Sequence, residues 1–147
     1  MGSLDFDVLL IEDDLGDVEL TETALSRSKL RVNLHVVNDG EEALAYLRQE
    51  GQYTKASRPS LILLDLNLPG LSGLEILSAI KSDQSLKSIP VVILTTSDTN
   101  TDILKSYENG VNCYVTKPIG LKEFIKIVNT IEDFWLTVVQ LPTQRNN

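Results

Sequence analysis

The sequence predicts an α/β protein: a doubly wound, five-stranded parallel sheet with helices on both faces. Two observations carry this. Short continuous apolar runs, at Val8 to Ile11, Leu61 to Leu64, Val91 to Leu94 and more weakly Val111 to Val115, are bounded by polar or turn residues, the pattern of strands buried on both faces. Stretches with helical spacing lie between them, so strand and helix alternate five times, and each helix becomes a crossover between parallel strands.

Taken in order, the first strand leads into a helix that carries Val18 and Leu25 on its apolar side. Val32 to Val37 alternates imperfectly and reads as an edge strand. Asp39-Gly40 opens the second helix, in which Ala43, Leu44 and Leu47 recur at helical spacing. The connection from 51 to 60, with Arg58-Pro59 near its end, is longer than the usual two to six residues. A surface excursion is the more common reason for such length, and an insertion with a binding role is the other. After the third run, Ser72 can cap a helix carrying Leu74, Leu77 and Ile80. After the fourth, Ser97 or Asp98 is expected to cap a helix carrying Ile103, Leu104 and Tyr107, which Gly110 is placed to end.

The last helix is expected to begin near Leu121 and to continue toward Val138, longer than cover of the sheet requires. Ile125, Val128 and Trp135 can face the core, while Ile127, Ile131, Phe134 and Val138 form a second stripe at spacings of four, three and four. That stripe is assigned as a homodimer interface; a tail folded back over its own domain is the alternative. Residues 1–147 are expected to form a single domain, with a core over about 6–138 and a tail over 139–147.

Composition narrows the partners. The net charge is −8, and the 13 Lys and Arg residues do not cluster, so no basic stripe is available for a nucleic-acid backbone. No apolar run approaches the ~20 residues of a membrane-spanning helix, and no basic-then-apolar leader opens the chain. A cytoplasmic location without membrane contact is therefore expected. Cys113 is the single cysteine and cannot form an internal bridge. A chain of this length buries enough surface to fold without one.

In open α/β sheets, ligands bind beyond the carboxyl ends of the strands. Glu12, Asp13 and Asp14 follow the first run, Asp65 the third, Thr95 and Thr96 the fourth, and Thr116 and Lys117 the fifth. Parallel strands bring all of these to one edge. Crowded carboxylates raise one another's pKa unless a cation offsets them, and magnesium accepts a few such hard oxygen ligands while keeping several waters. Asp65 can then serve as a nucleophile toward a phosphoryl donor, with the metal, the Thr95 hydroxyl and the Lys117 ammonium sharing the charge. Asp14 alone keeps a structural reading, as a first-turn acid favoured by the helix dipole. His35, the only histidine, is given no role, so the donor must come from outside the chain.

Leu-Leu-Ile-Glu-Asp-Asp at 9–14, Leu-Leu-Asp-Leu-Asn-Leu-Pro at 63–69, Val-Val-Ile-Leu-Thr-Thr at 91–96 and Tyr-Val-Thr-Lys-Pro at 114–118 resemble the receiver domains of response regulators, in order and across nearly the whole chain. The resemblance implies a flavodoxin-like sheet of order 2-1-3-4-5 and a two-component regulator that accepts a phosphoryl group from a histidine kinase. It makes Asp65 the phosphoacceptor and Asp13 a direct magnesium ligand, with manganese able to substitute. Glu12 would act through water, and Asn67 would contribute its backbone carbonyl. Thr95 becomes the switch hydroxyl, Tyr114 the switch aromatic and Lys117 the phosphate-pairing lysine, followed by a cis bond to Pro118. The loop at 51–60, Val-Asn-Cys-Tyr-Val-Thr-Lys at 111–117, and Ile-Glu-Asp-Phe-Trp-Leu at 131–136 with Leu141-Pro142 further resemble single-domain regulators paired with cyanobacterial phytochrome kinases. On that reading the partner is a sensor histidine kinase, a phytochrome among the candidates, and output passes by protein contact.

Two other functions use the same architecture. A phosphatase with an aspartyl nucleophile would need an acid two residues on, where Asn67 stands. A flavin or nucleotide binder would want a phosphate-cradling loop after the first strand, where Glu-Asp-Asp repels phosphate unless a metal is bound. Turnover of phosphate esters would mark the first, a flavin spectrum the second, and a lasting acyl phosphate on Asp65 the receiver.

Overall fold

A computed structural model describes residues 5–27, 31–117, 120–130 and 133. Five parallel strands, β1 (Asp5–Ile11), β2 (Arg31–Val37), β3 (Leu61–Leu64), β4 (Val91–Thr95) and β5 (Cys113–Thr116), form one sheet in the order β2-β1-β3-β4-β5. This is the expected order, with β2 at an edge. The helices are α1 (Leu15–Ser26), α2 (Gly40–Leu47), α3 (Gly73–Ser82), α4 (Asn100–Glu108) and a fifth, α5, over 121–130.

Alternate side chains of each strand feed two cores. Leu9, Ile11, Ile62, Leu64, Val91 and Ile93 pack with Ala43, Tyr46 and Leu47 of α2 and Ile76, Leu77 and Ile80 of α3. Phe6, Val8, Leu10, Leu63, Val92 and Leu94 pack with Ala24 and Leu25 of α1 and Phe124 and Val128 of α5. The continuous apolar runs follow from this, because no central strand has a wet face.

The helix starts agree with the sequence at two places and correct it at two. Asp39 accepts from the Glu42 amide, and Ser72 forms a reciprocal capping box with Glu75. Gly110, at φ 90°, follows α4 in the left-handed region. Asp14 is not a first-turn acid but the N-cap of α1, accepting from the Asp17 amide at 3.0 Å. The cap of α4 is Thr99, not Ser97 or Asp98. A cap must immediately precede the first free amides, and Thr99 Oγ1 meets the Asp102 amide at 3.2 Å, while the Ser97 hydroxyl bonds the Asp102 carboxylate instead.

Other expectations shift too. The apolar spacing of α4 does not bury it: Leu104 and Tyr107 are exposed, and the small Ser106 is the residue that meets the body of the protein. β5 begins at Cys113 and not Val111: the Asn112 amide donates to the Val91 carbonyl at 2.9 Å, but the Val91 amide is taken by the Asn112 side chain at 3.0 Å. Ile127 lines an apolar groove of about 590 Å³ beside Leu61, Pro90, Val92 and Cys113 at the starts of the strands. Its position one residue before the buried Val128 leaves it at the margin of the packed face. Ile131, Phe134, Trp135, Val138 and Pro118 lie outside the described residues. The 51–60 connection is tied down, with Tyr53 donating to Glu42, Gln49 to the Ala56 carbonyl and Arg58 to Ser85 and Ser88.

Gly73 lets α3 start hard against the end of β3. A Cβ there would stand 2.4 Å from Leu66 Cα and 2.6 Å from the Asp65 carbonyl oxygen, both backbone atoms that cannot swing aside. Gly73→Ala should therefore lower stability by about 1–3 kcal/mol or more, whereas Gly16→Ala, whose Cβ meets only the Asp14 side chain at 3.2 Å, should cost far less. Urea unfolding followed by circular dichroism checks the pair; equal midpoints would show that the loop yields.

Candidate phosphoacceptor site

Backbone pairing continues one residue beyond three of the strands and fixes the site. The Glu12 amide donates to the Val37 carbonyl at 3.0 Å, the Asp65 amide to Ile11 at 3.2 Å and the Lys117 amide to Thr95 at 2.7 Å. These bonds set Glu12, Asp65 and Lys117 side by side at the carboxyl edge, where the strand order reverses between β1 and β3. The burial is deep: Glu12, Asp65, Thr95 and Lys117 are all buried, while Asp13 is exposed beside them.

Lys117 occupies the centre. Its ammonium donates to Asp17 Oδ2 at 2.6 Å, Glu12 Oε1 at 2.7 Å and Asp65 Oδ2 at 3.1 Å. Burial works to lower its pKa, but the three carboxylates prevail and hold it above the ordinary lysine value. Burial pushes Glu12 up to about 7, with the Asp65 charge adding to the rise and the bond from Lys117 opposing it. One lysine thus does not fully offset burial together with the neighbouring charge.

The remaining crowding is what a cation would relieve. Carboxylate oxygens of Glu12, Asp13 and Asp65 lie within 4.8 Å of one another. They are hard donors, and the exposed Asp13 leaves one side open to water, as a partly hydrated divalent ion requires. The cluster is therefore placed to hold a metal.

Hydroxyls and an amide line the other side. The Asn67 amide N–H donates to Asp65 Oδ1 at 2.9 Å, and its side-chain Nδ2 reaches Thr96 Oγ1 at 2.9 Å and Thr95 Oγ1 at 3.3 Å. Thr95 Oγ1 also accepts from the Ser97 amide at 3.4 Å, and the Tyr114 hydroxyl donates to the Ser97 carbonyl at 2.8 Å. Burial raises the Tyr114 pKa, so the hydroxyl keeps its proton and remains a donor.

The structure thus brings together Glu12, Asp13, Asp65, Asn67, Thr95 and Lys117, and it links Tyr114 to Thr95 through Ser97. It leaves Ile127 at the opposite end of the sheet. Two features escaped the sequence: the Asn67 side chain bonding the Thr95 and Thr96 hydroxyls while its backbone N–H holds Asp65, and Asp17 as a partner of Lys117. The available signal for Asp17 was its place in the first turn of α1, where an acid suits the helix dipole and lies near the strand ends.

The family model for the response regulator receiver domain matches residues 8–129. The response regulator Rcp1 of Synechocystis sp. is 48% identical over 135 residues, covering 92% of each chain. Among solved structures, the phosphorylated cyanobacterial phytochrome response regulator RcpA superposes with a TM-score of 0.83 at 50% identity, over 92% of this chain and 96% of that one. The Mn(2+)-bound form of Rcp1 gives 0.80 at 47% identity, over 89% and 94%. With the sheet order and the acidic strand-end site already in place, these similarities show that the chain belongs to the response regulator receiver family and is a two-component response regulator related to those of phytochromes.

Proposed function

We propose that the protein accepts a phosphoryl group on Asp65 from a phosphorylated sensor histidine kinase, a phytochrome among the candidates, and passes the signal on by protein contact. One observation carries this reading: Lys117 Nζ stands 3.1 Å from a buried Asp65 whose carboxylate belongs to a three-acid cluster. An oxygen of Asp65 attacks phosphorus as the bond to the donor breaks, and the donor leaves with that electron pair. Lys117 pairs with the transferred oxygens, and the Thr95 hydroxyl, linked to Asp65 through Asn67, shares in receiving them.

Asp13 and Asp65 would hold magnesium directly, with manganese able to replace it, Glu12 acting through water and Asn67 giving its backbone carbonyl. When bound, the ion supplies charge that offsets the oxygens in transfer. Chemistry would be confined to gain and loss of this one group, residues 1–147 acting as a single receiver domain in the cytoplasm. Among the described residues, no helix is long and apolar enough to cross a membrane.

The switch would run through Ser97. Thr95 holds its amide and Tyr114 its carbonyl, so a Thr95 hydroxyl drawn toward a phosphoryl group would release one side of the residue that restrains Tyr114. A homodimer is proposed through the far half of α5 and the apolar positions beyond it, Ile131, Phe134 and Val138, with Ile127 at the margin of its groove.

Four outcomes test these roles. Incubation with magnesium and acetyl phosphate should add one phosphoryl group, located by mass spectrometry on Asp65 and abolished in Asp65→Asn; modification at Asp13 would overturn the assignment. Asp13→Ala should weaken magnesium binding about tenfold or more, since losing even a group that only hydrogen-bonds to a ligand costs roughly 10- to 100-fold, and Asp14→Ala should not. Thr95→Ala should still be phosphorylated but lose the phosphorylation-dependent change in partner binding; a wild-type response would sink the switch. Phe134→Ala should shift sedimentation toward monomer without slowing phosphorylation, since burying one such ring is worth about 2 kcal/mol.

A further inference from the structure

Asp17 has no part in the roles given so far, yet it makes the shortest contact in the site. A lysine ammonium has three N–H donors, and in this structure each is directed at a different carboxylate: Asp17 at 2.6 Å, Glu12 at 2.7 Å and Asp65 at 3.1 Å. The first two partners are held independently of Asp65. Glu12 is fixed by the ladder from β1 and by the Asp14 amide, 3.2 Å from its other oxygen. Asp17 is fixed by the first turn of α1, where its amide bonds the Asp14 cap and its carbonyl accepts from Thr21.

A lysine otherwise swings on four flexible carbons. We propose that Asp17 is a positioning residue: with Glu12 it occupies two of the three donors of Lys117, aims the third at Asp65, and so governs how fast Asp65 takes up a phosphoryl group. This rests on Asp65 being the phosphoacceptor. The asymmetry of the three bonds supports it, because the donor to be handed to a phosphoryl oxygen makes the longest contact while the two anchors are short and charge-assisted. The position of Asp17 supports it as well. Its side chain is 33% exposed, against 2% for Glu12, so it holds the ammonium from the mouth of the site without adding a further wholly buried charge.

A competing effect has the opposite sign. The Asp17 carboxylate is also negative charge near an incoming phosphoryl donor, and if repulsion dominated, removing it would speed the reaction. Asp17→Asn and Asp17→Ala separate the two, since asparagine keeps an acceptor oxygen on the same stem without the charge.

The experiment measures initial phosphorylation rates with acetyl phosphate across a magnesium series, on the full chain. A second arm follows the exchange of the Lys117 ammonium protons by nitrogen-15 NMR in metal-free protein. Positioning predicts that Asp17→Ala lowers the maximal rate roughly tenfold, within the ~10²-fold that a misplaced group can cost, at an unchanged half-saturating magnesium concentration. Asp17→Asn should keep most of the rate. Ammonium exchange should quicken in the alanine variant and stay slow in the other two. Equal acceleration in both variants would overturn the proposal in favour of repulsion, and unchanged rates and exchange would reduce Asp17 to a bystander ion pair. If the wild-type protein took no phosphoryl group on Asp65, the parent reading would fall, and the ammonium exchange would still decide whether Asp17 fixes the lysine.

Discussion

The ammonium of Lys117 is the constraint on which the site depends. Glu12 and Asp65 are buried at neighbouring strand ends because the sheet ladder continues through their backbones. Two carboxylates so placed, with Asp13 alongside, repel one another in a medium that screens poorly. Lys117 offsets part of that repulsion by satisfying three acids with three donors. Removing one partner from such a buried set is expensive, of the order of 3–5 kcal/mol, although the intact set adds little net stability over an apolar replacement. Stability alone therefore does not explain the arrangement; the proposed binding of a cation and a phosphoryl group would.

The fold supplies precision by ordinary means. Because both faces of the sheet are covered, a slip of one residue in any central strand would exchange two apolar faces and disrupt both cores at once. Register is thus set by packing well away from the chemistry: Ile62 opposite Val91, Leu10 opposite Leu63, Thr95 opposite Thr116. Site residues one step beyond these pairs inherit that register. Gly73 tightens the return from β3 into α3, so that Asp65 and Asn67 lie on a turn closed by the Gly73 amide bond to Leu66 at 3.0 Å.

This division explains what was legible in the sequence. Strand runs and strand-end residues were readable because burial on two faces leaves continuous apolar stretches, and the polar residue that ends each stretch must lie at the edge. Helix α4 was misread in its burial because Ile103, Leu104 and Tyr107 have the right spacing while a buried serine makes the contact. The Thr99 cap was missed among five consecutive capable residues, from Thr95 to Thr99, where only the geometry of the first amides decides. Asn67 was assigned through its backbone alone, since no sequence pattern indicates that its side-chain amide reaches two hydroxyls.

Asp17 exposes a more general limit. Strand-end logic finds residues that follow apolar runs, and Asp17 follows none; it reaches the site from a helix separated from the strand by three residues. Its helical turn places one acid, Asp14, on the free amides as a cap and the next, Asp17, on the lysine. Had Asp17 served the usual third-position role of bonding back to the cap residue, Lys117 would have lacked its shortest partner. The first turn of α1 is thus shared between capping the start of a helix and orienting an ammonium, and the second task is visible only once β5 is folded against β4 and Lys117 has been brought to within 2.6 Å of it.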